Sequence, residues 1–153
     1  MATIKDPVEL KRTVHSGSYR VGITGQTEVY RTFSMTFTPA PIKPPIEIAD
    51  LEKIDIRVGT ILSVQDVGNS DKLVKLLVSF GDHQRTIIAG VKQERQNPKE
   101  IEGKQALFVV NLPPRKMRGE VSEGMLFDIG YADGLTPVLA VCEKMTSDGA
   151  RAG

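Results

Sequence analysis

Alternation of apolar and polar residues predicts a series of short β-strands between residues 54 and 141. Residues 54–64 alternate apolar with polar or small side chains for most of their length, and Gly59 within them predicts a bulge or a sharp bend. The following strand places four apolar side chains on one face: Val74, Leu76, Val78 and Phe80. Further strands are predicted at residues 85–89, 104–112, 124–129 and 136–141.

Two short helical segments interrupt these strands. Asp50 is a residue type that caps helix N-termini, and it predicts one helical turn with residues 51–53. Residues 98–103 begin with proline and end with glycine, which predicts a one-turn helix between the third and fourth strands. The pattern predicts an all-β fold with small helical insertions, specifically a five-stranded Greek-key barrel of the OB type. An SH3-like barrel is the alternative, and the position of the helix favours the OB fold.

A proline-rich stretch divides the chain. Four prolines fall within residues 39–45, and such a run predicts a semi-rigid linker in extended conformation. Residues 1–38 are predicted to be an N-terminal extension with a short helix that starts near Asp6-Pro7 and a β-hairpin from residue 19 onward. This extension contains no chemical motif. Residues 46–153 are therefore predicted to be the OB-fold domain and the functional unit.

Composition excludes several classes of protein. Cys142 is the only cysteine, so no internal disulfide can form, and two histidines with one cysteine argue against a metal site. No apolar run approaches the ~20 residues that cross a bilayer, and the N-terminus lacks the apolar segment of a secretory signal. No glycine-rich phosphate loop or nucleophile–base motif is present. We predict a cytoplasmic protein that is not an enzyme, holds no metal or cofactor and does not associate with membranes.

Charge is concentrated in one part of the chain. The formal net charge is +1, yet residues 83–118 contain eight Lys/Arg and three Asp/Glu. A local basic patch of this kind binds polyanions, whereas a solvated surface with clustered charges is the alternative. Arg115, Lys116 and Arg118 follow two prolines and are predicted to lie on a constrained loop. Their counter-anion is either internal, from Glu120 and Glu123, or an external phosphate backbone.

Residues 111–126 carry the strongest motif, Asn-Leu-Pro-Pro-Arg-Lys-Met-Arg-Gly-Glu-Val-Ser-Glu-Gly-Met-Leu. This stretch closely resembles the signature of the tRNA-binding domain family. The family includes free-standing tRNA-binding proteins, the C-terminal domain of many bacterial methionyl-tRNA synthetases, endothelial-monocyte-activating-polypeptide-like synthetase cofactors and CsaA-type secretion chaperones. The resemblance spans about residues 46–150, and four more blocks carry it in the family's order: residues 55–61, 70–73, 85–90 and 98–104.

The resemblance implies a non-catalytic OB-fold protein that recognises folded tRNA by shape and phosphate backbone. The positions that it places on the binding face are Asn111, Arg115, Lys116, Arg118, Ser122 and Met125, with Lys72 and Arg85 as neighbours. For two of these, other roles are open: Met125 as a core residue, and Asn111 as a cap of the strand-to-loop turn. Arg57 is expected to pair with Asp55 or another acid and to lie outside the site.

The sequence also departs from the family. Residues 67–70 read Val-Gly-Asn-Ser where many members have His-Pro, and aromatic residues make up only 5% of the chain, without tryptophan. Scarce aromatics argue against a general single-strand binder. A CsaA-type peptide-binding chaperone is the alternative function, although residues 85–90 are closer to the tRNA-binding members.

The expected partners are tRNA, an aminoacyl-tRNA synthetase and a second copy of the chain. Residues 135–145 are apolar for most of their length and predict an isologous homodimer interface. The alternative is that this strip packs under residues 19–38 of the extension.

Overall fold

The computed structural model describes residues 37–153, so the helix and hairpin predicted in the extension lie outside the described residues. Residues 37–47 are exposed and contain neither helix nor strand. A single turn of helix, α1 (Ile48–Leu51), follows them. It begins before Asp50, because Glu47 rather than Asp50 is the N-cap residue, and Asp50 instead pairs with Lys53 Nζ at 2.6 Å. The predicted turn is therefore present, but its N-cap lies three residues earlier than predicted.

Nine strands lie within the described residues. They are β1 (Ile56–Asp66), β2 (Val74–Ser79), β3 (Gln84–Ala89), β4 (Gln105–Val109), β5 (Arg115–Met117), β6 (Glu120–Ser122), β7 (Met125–Ile129), β8 (Val138–Leu139) and β9 (Arg151–Ala152). Two 3₁₀ helices, at Pro98–Ile101 and Tyr131–Asp133, connect them. The strands predicted from alternation correspond to β1, β2, β3, β4, β7 and β8, whereas β5, β6 and β9 have no counterpart in that prediction.

One antiparallel sheet carries the fold. Its order is β3-β2-β1-β4-β7-β8, with β9 paired to the start of β1. Because β1 pairs with both β2 and β4, the long first strand serves both halves of the sheet. The far ends come together where Glu123 N–H, just before β7, donates to Thr86 O of β3 at 2.8 Å. The sheet thus curls into the half-barrel of an OB-like fold, as the sequence predicts.

The core fills the inside of this curled sheet. Val74, Leu76 and Val78 of β2 are fully buried, which confirms the predicted apolar face. The 3₁₀ helix at Pro98–Ile101 buries only Ile101, and it forms as predicted between β3 and β4. Buried side chains from the other strands complete the cluster: Ile61, Ile87, Phe108 and Leu126.

Gly59 lies on β1 directly against the end of β2. A Cβ atom there would stand 2.6 Å from Val78 Cγ1 and 2.9 Å from Phe80 Cε1, distances that real side chains do not tolerate. The strand irregularity itself is displaced from the glycine, because the β1–β2 register shifts between Ile61 and Ser63. Gly59 therefore permits close packing of the curled sheet, and the predicted bulge lies two to four residues further along the strand.

In the part of the chain that the structure describes, no helix is both long and apolar enough to cross a membrane.

Replacing Gly59 by alanine tests this packing. We expect Gly59→Ala to lower the free energy of unfolding by about 1–3 kcal/mol, because the added methyl group overpacks the core against β2. Urea denaturation followed by circular dichroism measures the loss. Gly68→Ala is the matched control, since a Cβ at Gly68 meets no atom within 4 Å. Equal stability of the two variants would contradict the assigned role of Gly59.

Candidate nucleic-acid interface

The basic segment forms a small β-hairpin rather than the predicted loop. β5 and β6 pair antiparallel, with Lys116 opposite Val121 and Met117 opposite Glu120. The two turn residues, Arg118 and Gly119, have φ values of 51° and 87°. Positive φ at both central positions is the type I′ geometry that suits two-residue hairpins. This turn was not predicted from the sequence, because arginine stands at its first central position, where asparagine or aspartate is usual.

The base of the hairpin is fixed to β3 by Ser122. This serine is 3% exposed; its hydroxyl accepts from Ile88 N–H at 2.9 Å and donates to Gly124 O at 2.9 Å. Glu123 adds a second attachment, since its Oε2 accepts from Thr86 N–H at 2.9 Å. Both hydrogen-bonding functions of the Ser122 hydroxyl are thereby used inside the protein. Ser122 therefore anchors the hairpin, and its place on a binding face, which the resemblance implies, stays a prediction.

Arg85 acts at the same joint. Its guanidinium donates to Val110 O and, at 3.0 Å, to Glu123 O, so it links β3 to the chain segments that enter and leave the hairpin. The side chain is partly buried and has no carboxylate partner within residues 37–153. Arg85 therefore lies next to the hairpin, as expected. Because its guanidinium donates to backbone carbonyl oxygens, its observed role is to hold these segments together.

Arg115, Lys116 and Arg118 are the charged surface of the hairpin, and we call them the hairpin cations. All three are exposed on β5 or its turn. Within residues 37–153 none of them has an ion pair or a side-chain hydrogen bond. Glu120, the nearest acid in sequence, instead pairs with Lys75 Nζ of β2 at 3.1 Å. Since Glu123 is bound to Thr86, neither expected internal counter-anion neutralises the hairpin cations.

Lys72 approaches the hairpin from the β1–β2 connection. It shares with Arg118 a cleft of about 380 Å³, which we call the turn cleft. The other residues lining this cleft are Asn69, Ser70, Asp71, Leu73 and Gln93. The structure thus brings together two of the predicted site residues that are 46 positions apart in the sequence. Sequence reasoning did not include Asn69 or Gln93, because single exposed amides in loops carry no motif.

The structure decides between the alternative roles that the sequence left open for Asn111 and Met125. The Asn111 side chain accepts from Asp55 N–H at 2.9 Å and donates to Lys53 O at 2.6 Å, so it caps the chain ahead of β1. This is the turn-capping role that the sequence left open. Met125 is 47% exposed on β7, so the core alternative for it is wrong.

Met125 lines an apolar groove of about 770 Å³ between β3, β7 and the hairpin. Its walls include Ile88, Val91, Leu112, Met117, Leu126 and Phe127. Charged groups lie along the same groove: Arg115 from the hairpin, Asp128 from β7 and Glu94 from the segment that follows β3. Burial raises the pKa of both carboxyl groups, against the opposing charge of Arg95. The groove therefore combines an apolar wall with charges of both signs.

Arg57 pairs with Asp55, as the sequence predicts. Its Nε lies 3.0 Å from Asp55 Oδ1, and Arg151 of β9 contacts the same carboxylate at 3.2 Å. The hydrogen bond from Arg57, with a smaller contribution from Arg151, lowers the pKa of Asp55 despite some burial. The stabilisation from this pair is fully present above the ordinary pKa of an aspartate and is lost as the pH falls through the lowered value. This cluster ties β9 to β1 and does not belong to the hairpin surface.

Within residues 37–153 no group of three or more His, Cys, Asp or Glu residues is arranged to hold a metal ion.

Comparison with known proteins connects this geometry to a family. A family model described as "Putative tRNA binding domain" matches residues 56–151, which include the half-barrel, the hairpin and the turn cleft. The chain belongs to the tRNA-binding domain family. Among curated proteins it is similar to methionine–tRNA ligase of Bacteroides fragilis, with 44% identity over 99 residues. That match covers 65% of this chain but only 14% of the ligase.

Solved structures show the same likeness. A MetRS-related protein from Pyrococcus horikoshii superposes with a TM-score of 0.67 at 32% identity, covering 72% of this chain and all of the other. The CsaA chaperone protein from Picrophilus torridus superposes with a TM-score of 0.62 at 28% identity, over 71% of this chain and all of the other. Because the chain is similar to both proteins, its fold alone does not show which of their functions it shares.

The anchoring role of Ser122 is testable through stability. We expect Ser122→Ala to lower the free energy of unfolding by about 1–3 kcal/mol, because the buried Ile88 N–H loses its acceptor. Ser79→Ala is the matched control: the Ser79 hydroxyl accepts from the exposed Gly81 N–H, which water can replace. Its change should stay within about 0.5 kcal/mol. Chemical denaturation of both variants measures the difference, and a Ser122→Ala protein as stable as its control would refute the anchor.

Proposed function

We propose that this protein is a non-catalytic tRNA-binding protein that recognises folded tRNA by shape and phosphate backbone. The observation that carries the proposal is the set of hairpin cations without counter-ions, displayed on a hairpin whose base is fixed to β3. Cations held in this way contact phosphates without first breaking internal ion pairs. Residues 46–153 form the tRNA-binding unit, and the protein acts in the cytoplasm, where tRNA and an aminoacyl-tRNA synthetase are its partners.

The hairpin also suits a shape-reading mechanism. Lys116 projects from the face of β5 opposite to Arg115, and Arg118 lies at the tip, so the three charges are spread around a rigid arm. Phosphate contacts of this kind fix orientation on an RNA but carry no sequence information directly. Similarity to a methionine–tRNA ligase and to a MetRS-related protein supports tRNA as the RNA concerned.

Binding of an unfolded peptide is the second candidate function. The apolar groove favours it, since an extended segment could lay apolar side chains against Met125 and Phe127. The likeness to a CsaA chaperone protein supports the same activity. The two functions share Arg115, which lines the groove, but peptide binding depends mainly on the apolar wall, whereas Lys116 and Arg118 lie outside the groove.

Removing the hairpin cations should weaken tRNA binding in a salt-dependent manner. With three to five phosphate contacts, the slope of log affinity against log salt is expected to be about −2 to −4. The variant Arg115→Gln, Lys116→Gln, Arg118→Asn should flatten this slope by about 2 if each cation contacts one phosphate. Asparagine is chosen at position 118 because it tolerates the left-handed backbone there. Gel-shift titrations at several salt concentrations provide the measurement.

A control variant removes equal charge elsewhere: Lys43→Gln, Lys99→Gln and Lys104→Gln, three exposed lysines outside the hairpin and the turn cleft. It should keep most of the wild-type slope. An unchanged slope in the hairpin variant would exclude this surface from the interface. Parallel titrations with duplex RNA, single-stranded RNA and an unfolded polypeptide separate the two candidate functions, since only peptide binding should resist both salt and loss of the hairpin cations.

We further propose that the protein is a symmetric homodimer through the apolar strip of residues 135–145. Leu135, Val138, Val141 and Met145 are all exposed in the described part of the chain, from 41% to 76%. Ile129, the cross-strand partner of Val138, is 55% exposed and extends the strip onto β7. Contiguous apolar surface of this kind marks an interaction site. A two-fold contact would place two sets of hairpin cations on one assembly and raise their effective concentration for one tRNA.

Light scattering at micromolar concentration tests the dimer. The expected mass is about twice the chain mass of 16.7 kDa. Val138→Lys should shift the protein to the monomer, because a buried unpaired charge opposes association. Leu62→Lys, at an exposed apolar position of β1 outside the strip, should leave the dimer intact. A wild-type mass near 16.7 kDa would contradict the dimer and favour cover of the strip by the extension.

A further inference from the structure

The turn cleft contains more than the two cations that the resemblance indicated. Lys72 lies on its β1–β2 side and Arg118 faces it from the hairpin tip. Neither side chain has an ion pair within residues 37–153, although Asp71 also lines the cleft. A bare phosphate would be repelled by that carboxylate. A ligand with a phosphate at one end and hydrogen-bond donors at the other would satisfy all three groups.

The wall of the cleft is already ordered. Ser70 Oγ accepts from Leu73 N–H at 3.0 Å, and Lys92 N–H donates to Lys72 O at 3.1 Å. The Lys92 ammonium also donates to Ser70 O at 3.2 Å and pairs with Asp66 at 3.3 Å. The charge of Lys92 is thus used to hold the turn. A ligand entering the cleft would meet a wall whose backbone does not have to be organised on binding.

Two side-chain amides face this wall without a partner. Asn69 and Gln93 are exposed, and neither side chain makes a hydrogen bond within residues 37–153. Each amide offers both donors and an acceptor, the combination that reads the edge of a nucleobase. Leu73 is partly buried at the same cleft and supplies an apolar contact. Amides, an apolar contact and cations together match a nucleotide rather than a simple anion.

We propose that the turn cleft binds one unstacked nucleotide of the RNA. Its phosphate lies against Lys72 and Arg118, its base edge against Asn69 and Gln93, and Asp71 accepts from a ribose hydroxyl or a base amine. This inference rests on the proposed function and adds to it a preference for RNA with unpaired positions. Sequence-specific contacts to RNA are made mostly to such unstacked bases in loops, bulges and ends.

The test removes the amides without changing charge. Asn69→Gly suits the positive φ of 57° at that position, and it is combined with Gln93→Ala. We expect the double variant to bind unfractionated tRNA about tenfold more weakly than the wild type, within the range for loss of a good base contact. Its salt slope should be unchanged because no phosphate contact is removed. Affinity for a fully paired RNA duplex should also be unchanged.

Gln96→Ala is the matched control, an exposed amide in the same loop that does not line the cleft. A double variant that binds tRNA as tightly as this control would overturn the nucleotide pocket while leaving the proposed function in place. An equal loss on tRNA and on the paired duplex would also overturn it, since the cleft would then contact backbone only. Wild-type protein that binds neither RNA would overturn the proposed function and the pocket together.

Discussion

The joint between β3 and the base of the hairpin is the constraint on which the surface depends. One buried hydroxyl, that of Ser122, completes the hydrogen bonding of the Ile88 N–H where the sheet curls back on itself. Glu123 and Arg85 bind the same two segments from either side. A hairpin of two three-residue strands is too short to be stable alone. Its conformation, and hence the placement of its charges, follows from these attachments to the barrel.

The architecture was predictable because its signals are local. The apolar face of β2 is predictable from the two-residue period of a strand, and the short helix before β4 is predictable from the backbone limits of its first proline and final glycine. The β5–β6 hairpin was not predictable in the same way, since Arg118 is an unusual residue for the first position of its turn. β9 was missed as well, because a two-residue strand is defined only by its distant partner, Arg57 with Ile56.

The residues of the candidate site were predictable from the sequence, but the role of each residue was not. A motif places Asn111, Ser122 and Arg118 on equal terms, whereas the structure uses the first two for internal hydrogen bonds and leaves the third open. Nothing local distinguishes a serine that holds a strand from one that contacts a ligand, because both require the same donor and acceptor. The contacts that decide these roles join residues distant in sequence. Ile88, which binds Ser122, and Lys75, which binds Glu120, each lie more than 30 positions from their partner.

Assignment of counter-ions explains how a nearly neutral chain displays a basic surface. Both acids of the hairpin segment are bound to other groups, Glu120 to Lys75 and Glu123 to a backbone N–H, and Asp66 on β1 is paired with Lys92. An acid that is bound in this way is not available as a counter-ion for the hairpin cations. The net charge counts paired and unpaired groups alike, so it does not show the local excess of positive charge. Affinity for a polyanion depends on the charges that are left unpaired at one place. The Lys75–Glu120 pair thus contributes to the electrostatics of the hairpin without itself facing a ligand.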